Sequence, residues 1–332
     1  MSQNGSTIWT KILEGRILFA GDRASRHAFF KFTPIEGAEV VIQGAEAMQH
    51  KLGHYKLKGT LRSANAALIV TEKVGPRDED PLSLSGLLQQ AKLPDECLRK
   101  IAHDVVAQLR ALGECDPQVK PIKALIWPHH DLPSLREIIM QYAQADTEEQ
   151  SLIKPLELLE DLLSEEGSIR FNEQSFLHGD MHVENVALDV EGDDVRAYIF
   201  DAGLTRRHVN IRDVAALEVS LLLHQVRGEG SLVDSCRSLY LCDALFAEGG
   251  AKEAWAESTY GLIRHLRSAI VDVCSAEIYA LMVFDYTLVQ CGSLRFGLSN
   301  NKIAIPTDAI NLAFLAAYWY VHLREVPFSD GA

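Results

Sequence analysis

The chain reads His178-Gly179-Asp180-Met181-His182-Val183-Glu184-Asn185, then two short apolar runs, then Asp201-Ala202-Gly203. The runs, Val186 to Val190 and Arg196 to Phe200, are strand-like, and Glu191-Gly192-Asp193-Asp194 between them is turn-forming, so the segment predicts a hairpin. Antiparallel pairing brings the outer ends of a hairpin together. Asn185, just before the first strand, therefore meets Asp201, just after the second. Asp180 enters on the loop five residues before Asn185. Three oxygen-bearing side chains gather at one end of a rigid element. Such oxygens suit magnesium, which takes one or two protein carboxylates and fills its shell with phosphate oxygens and water. A carboxylate left free nearby can orient a hydroxyl and accept its proton. These are the parts that phosphoryl transfer needs.

The sequence H-G-D-x-H-x-x-N followed by D-x-G resembles the aminoglycoside phosphotransferase and choline kinase family, which shares the protein-kinase fold. The spacing from Asp180 to Asn185 also matches the D-x-x-x-x-N of the kinase catalytic loop. The resemblance implies that Asp180 is the catalytic base and that Asn185 and Asp201 hold Mg2+. It implies ATP, or another nucleoside triphosphate, as phosphate donor and a small molecule as acceptor. His178 and Gly179 would shape the loop. Asp213, in an N-cap-like position within Arg212-Asp213-Val214-Ala215, would brace the loop through its backbone.

The same resemblance extends to the N-terminal part. Lys31 ends the aromatic-rich run His27 to Phe32, where relatives place the lysine that holds nucleotide phosphates. Glu46, on the helix expected next, would pair with Lys31, with Glu39 as its competitor at the helix start. The strand Ala66 to Thr71 leads into Glu72-Lys73-Val74, where backbone groups at Glu72 and Val74 would bind adenine. Two features depart from the family pattern. There is no G-x-G-x-x-G, with Gly21 and its neighbours the only candidate, and Ala202 stands where an aromatic is commoner.

Two other readings use the same residues. In one, His178, His182, His129, His130 and Asp131 form the His/Asp cluster of a metal-dependent hydrolase. That reading leaves Asn185, Asp201 and Lys31 without a role, and it competes with a simpler one. His182 hydrogen-bonds within its own loop, His129 and His130 follow Trp127-Pro128 on a surface turn, and Arg206 and Arg207 are solvated. In the other, the chain is a kinase-like module that holds nucleotide with little turnover.

The elements that must position these residues fall into two groups. Up to residue 75 the chain is strand-rich: Arg16 to Ala20, His27 to Phe32, Thr60 to Arg62 and Ala66 to Thr71, with one helical stretch from Glu39 to Leu52 closed by Gly53. Pro34 and Gly37 break the chain before that helix. Pro76 to Pro81 is charged and turn-prone, as a linker is. Beyond it, apolar residues recur at helical spacing, as in Cys97, Ile101, Val105, Leu109 and Leu112, and again in Ile153 to Leu163, Val214 to Val226, Ala254 to Ile270 and Ile278 to Val289. The expected fold is α+β and two-lobed, protein-kinase-like, with a small sheet-rich N-lobe over 1–75. A large helical C-lobe over 76–332 carries one embedded hairpin.

Composition sets outer bounds. Over 332 residues, 47% apolar and 23% charged content is that of an ordinary globular chain with a sizeable core. A net charge of −14 repels nucleic-acid backbones and tolerates a cationic or amine-bearing acceptor better than a polyanion. The six cysteines form no C-x-x-C pair and lie in apolar stretches, which predicts buried thiols in a reducing compartment. Met1 to Thr10 lacks the basic start and apolar run of a signal peptide. The apolar stretch Ala304 to Leu323 is interrupted by Pro306, Thr307, Asp308 and Asn311 and suits a core helix, not a membrane span. A cytoplasmic location is expected. Nothing in the pattern speaks to oligomeric state.

Overall fold

A computed structural model describes residues 28–72, 82–90, 93–142, 154–191, 194–201, 207–225, 257–295 and 306–325. The expected strand at Arg16 to Ala20, the glycine at 21, Val74, the boundary at residue 75, Ala202 and Arg206 lie outside them.

The first part is a three-stranded antiparallel sheet with one helix on it. Strands β1 (Ala28–Pro34), β2 (Leu57–Arg62) and β3 (Ala66–Glu72) lie in the order β1-β3-β2. β3 is central and accordingly the most apolar, with Ala67, Leu68 and Ile69 buried. Ser63 closes the β2–β3 turn: its hydroxyl accepts from the Ala66 N–H at 3.1 Å. Helix α1 (Ile35–Lys51) follows β1 directly and buries Ala38, Ile42, Ala45 and Met48, a three- and four-residue repeat. It starts four residues before the expected Glu39. Proline lacks an N–H and is pre-set for a helix start, so Pro34 caps the helix instead of separating it from the strand.

The second part is larger and mostly helical. Its helices are α2 (Leu84–Gln90), α3 (Asp95–Ala111), α4 (Leu132–Tyr142), α5 (Pro155–Ser164), α6 (Arg212–Gln225), α7 (Glu257–Ser268), α8 (Ala276–Arg295) and α9 (Pro306–Glu325). Tyr279, Phe284, Trp319 and Tyr320 of α8 and α9 are fully buried. None of the described helices is long and apolar enough to cross a membrane. This is the expected α+β architecture of a small sheet-rich part before a large helical one.

The large part holds more sheet than expected. The hairpin is present as β7 (Val186–Glu191) and β8 (Asp194–Ile199), registered from Val186 opposite Ile199 to Glu191 opposite Asp194. A two-residue strand, β4 (Leu82–Ser83), pairs with β7. A further sheet, ordered β5-β6-β9, joins β5 (Cys115–Pro121), β6 (Ser168–Gln174) and β9 (His208–Val209). Pro117 and Pro121 obscure β5 in the sequence, but β5 is an edge strand, where a missing N–H costs no ladder bond. The expectation of buried thiols also needs correction, since Cys115 is exposed on this edge.

Two ion-paired networks cross the helical core. Glu218 of α6 receives two bonds from the Arg267 guanidinium, at 3.0 and 2.7 Å, and one from the Tyr279 hydroxyl at 2.7 Å. Asp285 of α8 receives the Arg212 guanidinium at 2.8 Å, the Trp127 N–H at 2.8 Å and His130 Nε2 at 2.7 Å. Burial pushes the Asp285 carboxyl up, but Arg212, His130 and the Trp127 N–H together outweigh it and hold it at about 2.

A carboxyl held below its unfolded value stabilises the fold above that unfolded value, and the benefit is lost as pH falls through the folded one. Asp285 therefore contributes on the order of 2 kcal/mol above about pH 4, lost toward pH 2. Asp285→Ala is expected to cost about 3–5 kcal/mol at neutral pH, because it leaves the buried Arg212 charge unpaired. Denaturant unfolding at pH 7 and pH 3 checks both, since the variant should also lose part of the acid sensitivity.

Candidate functional site

The loop from 177 to 185 is fastened by its apolar residues. Leu177, Met181 and Val183 are buried, and so is His178 between them. Gly179 has φ 76°, a left-handed conformation that glycine adopts without strain. Asp213, in the first turn of α6, accepts from the backbone N–H groups of His178 at 2.6 Å and Gly179 at 3.0 Å. Burial raises the Asp213 carboxyl above its ordinary value, against the opposing pull of His178, the two N–H donors and Arg212. The Val183 N–H donates to Ser220 Oγ, also on α6, at 3.1 Å.

The hairpin closes on this loop. The Phe200 N–H donates to the Asn185 carbonyl at 3.1 Å, extending the ladder one step past its last strand pair. His178 Nε2 lies 2.8 Å from the Phe200 carbonyl, which can only accept, so Nε2 carries the hydrogen. His178 Nδ1 is buried without a hydrogen-bond partner among the described residues. Asn185 Nδ2 donates to the Asp180 carbonyl at 2.7 Å, which leaves the amide oxygen as the end able to meet a cation. Asp201 follows with φ 63°, unusual for a residue other than glycine and tolerated only where surroundings over-determine it.

The N-terminal sheet reaches the same point. Lys31 Nζ of β1 donates to Asp201 Oδ1 at 2.5 Å across 170 positions of sequence. Glu46 does not take part: it is exposed on α1 and makes no ion pair with Lys31 here. Glu39 pairs with Arg62. Glu72 pairs with Lys58 on the neighbouring strand β2 and with Lys56 just before it. Tyr55 is buried; burial and the Asp201 charge both push its hydroxyl up.

The pairing gives a direct test. Lys31→Met and Asp201→Asn should couple by about 1 kcal/mol in a double-mutant cycle on unfolding, the scale of a half-exposed ion pair. Lys31→Met and Glu46→Gln should add. Coupling of the second pair, with additivity of the first, would overturn this arrangement.

The His/Asp cluster of the hydrolase reading does not assemble. His130 is not on a surface turn, because its ring is buried against Asp285. His129 is exposed with its ring edge on Trp127, and Asp131 accepts from Ser134. His182 Nδ1 accepts from the Glu184 N–H at 3.2 Å within its own loop. Burial lowers its pKa, partly offset by Asp180, Asp201 and Glu184. Among the described residues no three His, Cys, Asp or Glu side chains are grouped to hold a metal.

Sequence reasoning missed Asp285, whose partners come from residues 127, 130 and 212. It also missed Tyr286 beside it, whose hydroxyl is pushed up by burial and by the charges of Asp180 and Asp213. Neither stands in a motif; their place near the loop comes from how α8 packs on α6.

No protein-family model matches the chain, and no curated protein matches it by sequence. Solved structures similar to it include an amicoumacin kinase in complex with AMP-PNP and Ca2+, at 14% identity and TM-score 0.39, over 88% of this chain and 81% of that one. An aminoglycoside-3'-phosphotransferase of type VIII is similar at 17% identity and TM-score 0.39, over 83% and 97%. A Plasmodium vivax ethanolamine kinase is similar at 11% identity and TM-score 0.41, over 91% and 81%. At this depth of likeness, only this chain's own residues bear on its chemistry.

Proposed function

We propose that the chain is a phosphotransferase of the two-lobed kinase-like type, moving the terminal phosphate of ATP or another nucleoside triphosphate to a hydroxyl of a small acceptor. The observation that carries this reading is the meeting of Lys31 with Asp201, beside a loop in which Asn185 holds the Asp180 carbonyl. A cation, the Lys31 ammonium, already stands against Asp201. The nearby donors, a carboxylate and an amide oxygen, are hard oxygens of the kind Mg2+ prefers. Asn185 and Asp201 would hold Mg2+, which would neutralise charge on the phosphates.

The remaining chemistry belongs to side chains. Lys31 turns its ammonium to the phosphates as the donor binds. Asp180 orients the acceptor hydroxyl and accepts its proton as oxygen bonds to phosphorus and the nucleoside diphosphate leaves. Asp213 and His178 keep the loop's backbone in place, so little reorganisation remains at the moment of transfer. Glu72 and Val74 are the proposed backbone contacts to the base. The net charge of −14 suits an amine-bearing acceptor.

One observation favours a second reading, a nucleotide-binding module with little turnover. Asp201 is engaged by Lys31, and among the described residues no three His, Cys, Asp or Glu side chains are grouped to hold a metal. A phosphate-transfer screen with labelled ATP and Mg2+ over aminoglycosides, choline, sugars and small amino alcohols separates the two, with Asp180→Asn as the blank. Transfer to one acceptor above the blank supports the enzyme. Magnesium-dependent nucleotide binding with no transfer supports the module, and no nucleotide binding at all rejects both.

A further inference from the structure

β8 is the edge strand of its sheet, and the outward backbone groups of Ala197 and Ile199 are met by side chains. Asp104 Oδ2 of α3 accepts from the Ala197 N–H at 3.1 Å, and Gln108 Nε2 donates to the Ala197 carbonyl at 2.6 Å. Gln108 Oε1 accepts from the Ile199 N–H at 3.0 Å. The Ile199 carbonyl is met by His54 Nε2 at 3.2 Å. A carbonyl only accepts, so Nε2 carries the hydrogen.

His54 differs from the other two in where it comes from. Asp104 and Gln108 belong to the helical part, whereas His54 lies on the turn after α1, in the small sheet-and-helix part. Its ring also leans on Tyr198, centroids 5.0 Å apart. Tyr55, the next residue, is close enough to Asp201 to feel its charge. Two residues past Ile199 the chain must enter the strained left-handed conformation of Asp201, where Lys31 binds. Such a conformation persists only while its neighbours are held.

We propose that His54 is a positioning residue for Asp201: through the Ile199 carbonyl it sets the strand end of the large part against the small part that carries Lys31. Gln108 holds the N–H of the same residue, on the same edge of the strand. The inference rests on the reading of Asp201 as a nucleotide-side group, but its geometry can be tested without nucleotide.

The test compares His54→Leu, which keeps the packing on Tyr198 and removes the donor, with His54→Gln, whose amide nitrogen reaches about as far as Nε2. AMP-PNP binding with Mg2+ is measured by calorimetry. His54→Leu is expected to weaken it about tenfold and His54→Gln by less than about threefold, the difference one oriented hydrogen bond makes. Equal losses in both variants, or none in either, would overturn the proposal. A double-mutant cycle of His54→Leu or His54→Gln with Asp201→Asn, followed by denaturant midpoint, needs no nucleotide. Asp201→Asn should shift the midpoint less in the Leu background than in wild type, and as in wild type in the Gln background. Strict additivity with Leu overturns the proposal whatever the binding result. Coupling in a wild-type protein that binds no nucleotide would uphold the role of His54 and sink the phosphotransferase reading.

Discussion

Asp180→Asn is expected to lower the turnover of phosphate transfer by about 10²–10⁴-fold, the usual contribution of a positioned general base. The change preserves shape and the backbone carbonyl that Asn185 Nδ2 meets, so the loop should keep its path. It removes the one property that matters for transfer, the ability of the side chain to take the acceptor proton. Nucleotide affinity should stay within about twofold of wild type, since Asp180 acts on the acceptor and not on the donor. Steady-state kinetics with the best acceptor from the screen, together with AMP-PNP calorimetry, reads both quantities. Retained turnover would remove Asp180 from the role of base. Turnover and affinity falling together would mean that the substitution disturbed the whole loop, which Asp213 and Ser220 otherwise pin to α6.

Asp201→Ala is expected to reduce nucleotide affinity in Mg2+ by on the order of a hundredfold, at least the loss typical of removing a residue that only supports a metal ligand. Without Mg2+ the effect should be small or reversed, because the same substitution frees Lys31 from its partner. The sign of the difference is the diagnostic part. If Asp201 served only as the counter-ion of Lys31, its loss would leave an unpaired ammonium facing the phosphates and tighten binding under both conditions. Calorimetric titrations of wild type and variant, with Mg2+ and with a chelator, separate the two. Asp201→Gly belongs beside them, because glycine adopts φ 63° without strain and distinguishes the lost carboxylate from the relaxed backbone.

These predictions rest on different depths of information. The hairpin could be read from residues 186 to 200, because a strand's two-residue period and a Gly-Asp turn are local signals. With the hairpin came the meeting of its ends, and hence the neighbourhood of Asn185 and Asp201. α3 and α6 to α9 were legible for the same reason, since each carries enough apolar residues at helical spacing to declare itself. β5 and β6 were not. β5 carries two prolines and is exposed along most of its length, so it has no apolar alternation to find. It exists because β6 offers it a ladder from a distant part of the chain, with Gln174 opposite Cys115 and Ser168 opposite Pro121.

The sequence alone singled out the candidate side chains: Asp180, Asn185 and Asp201 by spacing across a hairpin, and Lys31 by resemblance, although β1 runs on to Pro34 and sets it mid-strand. Only the tertiary structure decided their partners. The helix after β1 carries both Glu46, the expected partner of Lys31, and Glu39, its competitor nearer in sequence, but the pairing depends on how separate elements pack. The fold gave Lys31 to Asp201 instead, Glu39 to Arg62, and left Glu46 exposed. His130 likewise follows Trp127-Pro128 in a segment that reads as a surface turn, yet Asp285, 155 positions later, draws its ring inside. Ion pairs of this kind follow from which helices pack together, and packing depends on shape summed over whole faces, a quantity that no short window of residues contains.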